Sequence, residues 1–179
     1  MNTHFRAGRA DDLAAINALY NHYILNSSAT FDLDPLSMTN RRAWFDQFEP
    51  ETALQLWVAE KDATVVGFAC SSPFRAKAGY KDTVETSIYL SPSAHGKGIG
   101  HRLYQALFDA LDRTSAHTAI AMITLPNVPS IRLHERLNFQ TSGSLEQVGI
   151  KFGQRLSVCL MQRFKNASSL PGAPITPAE

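Results

Sequence analysis

Three glycines at alternate positions, Gly96, Gly98 and Gly100, occupy the run His95-Gly96-Lys97-Gly98-Ile99-Gly100, directly ahead of a segment with helical apolar spacing. Glycine adopts positive φ at little cost and lets backbone approach a ligand, so the run can present amide N–H groups to an anion. A helix N-terminus behind it favours phosphate electrostatically. The chemistry on offer is a pyrophosphate cradle, and taken alone the run also fits a plain turn. Its spacing matches neither Gly-x-x-x-x-Gly-Lys-Ser/Thr nor Gly-x-Gly-x-x-Gly, which weakens nucleoside triphosphate and dinucleotide readings.

Two further residues could move protons. Strand alternation along Thr83–Leu90 places Thr83, Glu85, Ser87 and Tyr89 on one face and Val84, Thr86, Ile88 and Leu90 on the other. A carboxylate on the strand that feeds a phosphate loop can act as a base whose pKa a cleft would raise, and it can equally be a solvent-facing or salt-bridged glutamate. His134, beside Leu133 and Leu137, can donate a proton or simply pack against its neighbours.

These residues need elements to hold them. Leu13, Ile16, Leu19, Tyr20 and Tyr23 recur at helical spacing over Arg9–Asn26, and Thr39–Phe48 predicts a second, shorter helix. The loop between them carries Phe31. Leu54–Glu60 and Thr64–Ser71 read as a hairpin around Lys61-Asp62-Ala63, and Asp82–Leu90 continues the sheet. After the glycines come a helix over His101–Thr114, a buried strand over Ala119–Thr124, a helix over Pro129–Leu137, and closing strands over Phe139–Leu145 and Leu156–Gln162. Hairpins followed by a strand-helix-strand crossover imply an α/β protein with a mixed sheet and helices on both faces.

The 179 residues suit one domain over 1–166, followed by a proline-containing tail over 167–179 expected to be mobile. Composition is ordinary, with 44% hydrophobic and 18% charged residues, and a formal net charge of +1 argues against a nucleic-acid surface. No secretory leader or membrane-length apolar run is visible, so a cytoplasmic location without membrane attachment is expected. Cys70 and Cys159 lie in apolar runs and read as buried reduced thiols. Neither a disulfide nor a metal is assigned.

The run His95–Gly100, preceded by Tyr89-Leu90-Ser91-Pro92, resembles the Arg/Gln-x-x-Gly-x-Gly/Ala pyrophosphate loop of the GNAT acetyltransferase superfamily, with His95 in place of Arg or Gln. Asn127 to Phe139 is similar to that superfamily's second CoA-binding segment, with Asn138 replacing a usual glycine. Thr83-Val84-Glu85-Thr86-Ser87-Ile88-Tyr89 is similar to the Thr-Val-Glu-x-Ser-Val-Tyr signature of the phosphinothricin and methionine sulfoximine acetyltransferase subgroup. That similarity extends from Arg6 to Gly153. In the subgroup's Lys-Phe-Gly-Arg-Trp-Leu-Asp segment this chain has Gln154, Arg155 and Ser157, losing an aromatic and a carboxylate.

The resemblance implies a GNAT fold, a homodimer and acetyl-CoA as cofactor. It implies cofactor contacts from the Ile88, Tyr89 and Leu90 backbone, from His95, Gly96, Lys97, Gly98, Ile99, Gly100 and His101, and from Asn127, Ser130 and Arg136. It implies Glu85 as general base and His134 as candidate acid for the departing thiolate. Phe31, Phe74, Arg75 and Tyr80, with Glu85, Thr86 and Ser87, would line the acceptor pocket, Arg75 being suited to a carboxylate or phosphinate. The implied reaction is direct acetyl transfer to the α-amine of a small amino acid or glutamate analogue. A polyamine, an aminoglycoside or a protein N-terminus are alternative acceptors, and a non-catalytic acyl-CoA sensor is an alternative of another class.

Overall fold

The computed structural model describes residues Thr3 to Lys165, and the expected tail lies outside them. Seven strands, β1 (Thr3–Ala7), β2 (Leu56–Lys61), β3 (Thr64–Pro73), β4 (Thr83–Leu90), β5 (Thr118–Thr124), β6 (Gln140–Lys151) and β7 (Gln154–Phe164), form one sheet in the order β1-β2-β3-β4-β5-β7-β6. Every pairing is antiparallel except β4 with β5. The helices are α1 (Leu13–Asn26), α2 (Met38–Phe45), α3 (Ile99–Leu111) and α4 (Val128–Glu135). The parallel pair is the one that needs a long crossover, and the glycine run with α3 supplies it.

Period-two alternation in the central strands separates two cores. Leu56, Val58, Phe68 and Cys70 point to one face and pack with Ile16 of α1, while Trp44 and Phe45 of α2 close over them. Ala59, Ala69 and Val84 point to the other face, beneath Leu103, Leu107 and Leu111 of α3. Helices therefore cover both faces, as the order of elements led one to expect. Both cysteines are buried. Arg41 is 1% exposed yet lies between the Tyr20 and Trp44 rings at 4.7 and 4.4 Å, with Nε donating to Asn17 Oδ1 at 3.2 Å.

Several boundaries differ from expectation for local reasons. The second helix ends at Phe45 rather than Phe48, and the chain leaves it through a single turn, Phe48 N–H donating to the Phe45 carbonyl. The third begins at Ile99 rather than His101, because Gly98 (φ 72°) is already its N-cap. The first hairpin turns on Asp62 and Ala63, both at positive φ, a two-residue turn whose twist matches that of the flanking strands. β1 went unforeseen, since its polar residues give no apolar period. It is anchored by Arg6, which donates to Asp12 Oδ2 at 2.7 Å and also pairs with Glu60. The last hairpin is longer than predicted on both arms and turns on Phe152 and Gly153, at φ 50° and 71°.

Candidate active site

The parallel register of β4 and β5 runs only from Thr83↔Thr118 to Glu85↔Ile120. Beyond it the strands diverge, because β5 stays in register with β7 up to Thr124 while β4 follows β3 up to Leu90. The resulting cleft holds about 430 Å³ counting its open mouth, and its walls include Thr86, Ser87, Ile88 and Tyr89 on one side and Ala121 to Thr124 on the other. Asn127, Ser130 and His134 of the α4 segment and Tyr104 of α3 complete it.

The ladder determines which backbone groups face this cleft. Ser91 N–H donates to the Val66 carbonyl and Phe74 N–H to the Thr83 carbonyl, so the odd-numbered residues of β4 spend their amides and carbonyls on β3. Ile88 and Leu90 turn theirs toward the cleft. Tyr89 does not: its amide and carbonyl are directed to β3, so of the three backbone contacts expected there its own is spent within the sheet. The Leu90 carbonyl is itself occupied, accepting from Tyr23 Oη at 2.7 Å. The edge left for an extended ligand is thus the Ile88 amide and carbonyl and the Leu90 amide.

At the end of that edge the chain turns through Gly96 and Gly98, both near φ 70°, where a Cβ would meet nothing within 4 Å. The first amides of α3, from Ile99, Gly100 and His101, have no intrahelical acceptor by the geometry of any helix start. Gly100 is needed differently: a Cβ there would lie 3.1 Å from Leu90 Cδ1, so the helix end packs tightly on the edge strand. Lys97 Nζ donates to the Ser93 carbonyl at 2.7 Å, and His95 Nε2 lies 3.2 Å from Tyr23 Oη. Tyr23, absent from the predicted set, therefore ties α1 to both the edge strand and the loop. Nothing in the spacing of α1 distinguished it from a core tyrosine.

Glu85 projects from the other face of β4, directly across from Ser72 on β3. Burial raises its pKa, and Arg75 opposes that rise. Arg75 is exposed, stacks 4.3 Å over the Phe74 ring and donates to the Phe74 carbonyl at 2.8 Å. Phe74 and Tyr80 meet edge-on at 5.6 Å. The segment between β3 and β4 thus gathers Phe74, Arg75 and Tyr80 at the Glu85 end of the strand, and neither these three nor Glu85 borders the cleft itself.

Asn127 is the N-cap of α4, its Oδ1 accepting from Ser130 N–H at 3.1 Å. His134, 2% exposed, has Nδ1 2.8 Å from the Ser130 carbonyl; a carbonyl only accepts, so Nδ1 carries the proton. Burial lowers the pKa of His134, which the Ser130 carbonyl partly opposes, and the ring is neutral with a lone pair at Nε2. An acid role would require the unfavoured cation. Asn138 sits at φ 65°, where the helix exit demands the left-handed conformation and asparagine is the best non-glycine choice. Arg136 is exposed at the end of α4 and does not border the cleft.

Phe31 is half-buried against β6: a Cβ on Gly149 would fall 2.3 Å from its ring. Next to it Lys151, 2% exposed, donates to the Thr30 carbonyl at 2.6 Å. The α1–α2 loop, whose Ala29 reaches the cleft, is therefore fastened to the last hairpin. Ser157, one of the departures noted in the sequence, donates to Glu146 Oε2 at 2.8 Å and accepts from Gln147 N–H at 3.0 Å, while Arg155 is exposed.

Residues 16–139 match the Acetyltransferase (GNAT) family. The chain is 41% identical to a phosphinothricin N-acetyltransferase of Streptomyces coelicolor over 88% of its own length and 94% of the relative's. It is 35% identical to an L-methionine sulfoximine/L-methionine sulfone acetyltransferase of Salmonella typhimurium, over 90% and 94% of the two chains. A phosphinothricin acetyltransferase from Sinorhizobium meliloti, solved in complex with acetyl-CoA, superimposes with a TM-score of 0.87 at 32% identity, covering 99% of this chain and 97% of the other.

Proposed function

The chain belongs to the GNAT acetyltransferase family, and from that premise we propose that it is an acetyl-CoA-dependent N-acetyltransferase acting on the α-amine of a small amino acid or glutamate analogue of the phosphinothricin, methionine sulfoximine or methionine sulfone type. The observation that carries this reading is the splayed cleft, which opens a free backbone edge of β4 beside a glycine turn, with the half-buried Glu85, whose pKa burial raises, directly before Thr86 of the cleft wall.

The residues suit acetyl-CoA. Gly96 and Gly98 leave open space at positive φ, the helix start behind them has free amides, and the Ile88–Leu90 edge has unpaired backbone groups for an extended amide-bearing arm. Acetyl-CoA supplies the activated acyl group as a thioester. In this reading His95 to His101 hold the pyrophosphate, and Ile88, Leu90, Asn127 and Ser130 hold the arm that follows. Glu85 accepts the amine proton, directly or through water, and its raised pKa brings it closer to neutrality, where a general base works best. Amides of the cleft edge polarise the carbonyl. Phe31, Phe74, Arg75 and Tyr80, with Ser87, surround the acceptor, and Arg75 offers its guanidinium to an anionic group.

A homodimer belongs to the same proposal. Val148, Ile150 and Phe152 alternate along the last hairpin and are 54%, 55% and 61% exposed, an apolar strip suited to a second copy. No helix among the described residues is long and apolar enough to cross a membrane, and no group of three or more metal-ligating side chains occurs among them.

The test is thiol release from acetyl-CoA with phosphinothricin, methionine sulfoximine, methionine sulfone and the standard amino acids. Turnover with the glutamate analogues is the expected result. Turnover confined to a polyamine, an aminoglycoside or a protein N-terminus would replace the acceptor assignment. Calorimetric CoA binding without turnover across the panel would replace the enzyme with a sensor.

A further inference from the structure

Two buried polar atoms on residues that line the cleft have no hydrogen-bond partner, the Tyr104 hydroxyl and His134 Nε2. Buried polar groups are nearly always satisfied, so orphans beside a cavity call for an explanation, and a ligand that fills the cavity is one. The two atoms offer opposite chemistry. His134 Nε2 presents a lone pair, since its proton is fixed on Nδ1 by the Ser130 carbonyl. Its ring is enclosed edge-on by Tyr104 at 5.2 Å and Phe139 at 5.0 Å, surroundings that disfavour the imidazolium. Tyr104 is 0% exposed, and burial raises its pKa well beyond the ordinary tyrosine value. Its phenol stays neutral and presents an O–H donor. Thr86, the nearby hydroxyl on the cleft wall, donates to the Ile120 carbonyl at 3.4 Å and partly opposes the rise in the Tyr104 pKa.

Resting on the acetyl-transfer reading above, we propose that Tyr104 is a catalytic residue: its hydroxyl donates a hydrogen bond to the thioester sulfur as negative charge develops there, and His134 is not the proton donor. Transfer forms one N–C bond and breaks one C–S bond, whose electron pair stays on sulfur. Glu85 takes the amine proton, Tyr104 keeps its own, and sulfur gains a proton from solvent afterwards. With one amide of the Ile88–Leu90 edge on the cofactor arm and the other on the acyl oxygen, sulfur is the atom left needing a donor. Proton transfer from a phenol less acidic than a free tyrosine to a thiolate whose acid has a pKa near ~8.5 is uphill, and the contribution is therefore a hydrogen bond.

The full-length Tyr104→Phe variant tests this through three readouts. Removing an unpartnered buried hydroxyl should leave Tm unchanged or raise it by about 2–4 °C. It should lower kcat about 10²-fold with the acetyl-CoA KM unchanged, the size seen when one preorganised donor is lost. With CoA alone, the ultraviolet absorbance of the bound thiolate should titrate at higher pH in the variant than in the wild type, a change that a purely structural tyrosine would not produce. Unchanged kcat, an unmoved thiolate titration, or a drop in Tm accompanied by a raised acetyl-CoA KM would each overturn the proposal. Wild-type protein that binds CoA but turns over no amine defeats the acetyl-transfer reading instead, and the thiolate titration still decides the role of Tyr104.

Discussion

Replacing Gly149 with alanine should push Phe31 out of place, and the structure sets the scale of the effect. The new methyl group would lie 2.3, 2.4 and 2.7 Å from three carbons of the Phe31 ring. Carbon contacts relax at about 3.5–4.0 Å, so the ring has to retreat by roughly 1 Å. Gly149 does not occupy the left-handed region, and backbone strain adds nothing. Overpacking of this kind costs about 1–3 kcal/mol, and Phe31 is only half-buried, which places the cost toward about 1 kcal/mol. For a chain of this size that lowers Tm by about 2–4 °C. Because Lys151 fixes the adjacent Thr30 carbonyl, the ring cannot carry the whole loop with it and must rotate toward the proposed acceptor wall. Thermal unfolding and steady-state kinetics should therefore show a reduced Tm and a raised acceptor KM, with the acetyl-CoA KM unchanged. Adding Phe31→Leu should restore most of the stability. An unaltered Tm, or a double variant no more stable than Gly149→Ala alone, would refute the reasoning.

Other perturbations follow from single contacts. Gly98→Ala forces a side chain into φ 72° with open space around it, so the cost of about 1–2 kcal/mol is backbone strain, and the acetyl-CoA KM should rise by roughly 5- to 30-fold in kinetic assays. Asn127→Ala removes the α4 cap and should lower stability by about 1 kcal/mol in denaturant unfolding while raising the acetyl-CoA KM. For Asp12, burial raises the pKa, but hydrogen bonds from Arg6 and the Arg9 amide outweigh it and the net direction is down. A depressed pKa gives stability that is present above the unfolded value and lost as pH falls through the folded one. Asp12→Asn should therefore destabilise by about 2 kcal/mol at neutral pH, with the difference from wild type vanishing in acid unfolding scans below the folded-state pKa.

The features legible in the sequence were those with a local signature. Alternation along Thr83–Leu90 placed Glu85 and the edge residues on opposite faces, and Gly96 and Gly98 marked a turn whose positive φ the structure bears out. What stayed hidden depends on contacts distant in sequence. Tyr104 falls on the apolar face of α3 like any core aromatic, and only the divergence of β4 from β5 gives its hydroxyl a cavity to face. Lys151 reads as a hairpin cation until Thr30, 121 residues earlier, supplies its acceptor. Tyr23 likewise has the period of a helix core residue, and its bond to Leu90 spans 67 positions. His134 was placed correctly on α4, but its hydrogen bond to Ser130 fixes a tautomer that no spacing encodes.

The pH dependence of kcat/KM for the best acceptor, measured for the wild type and Glu85→Gln, tests the central claim most directly. Burial raises the Glu85 pKa against the opposing influence of Arg75, so wild-type activity should fall on the acid side at a pH above the ordinary carboxylate range. A raised folded-state pKa contributes stability at low pH that disappears as pH rises through it, so the glutamine variant should be at least as stable at neutral pH, and any loss of rate is chemical. The account predicts a rate about 10²–10⁴-fold lower in Glu85→Gln, without the acid limb. Undiminished activity, or the same acid limb in both proteins, would contradict it.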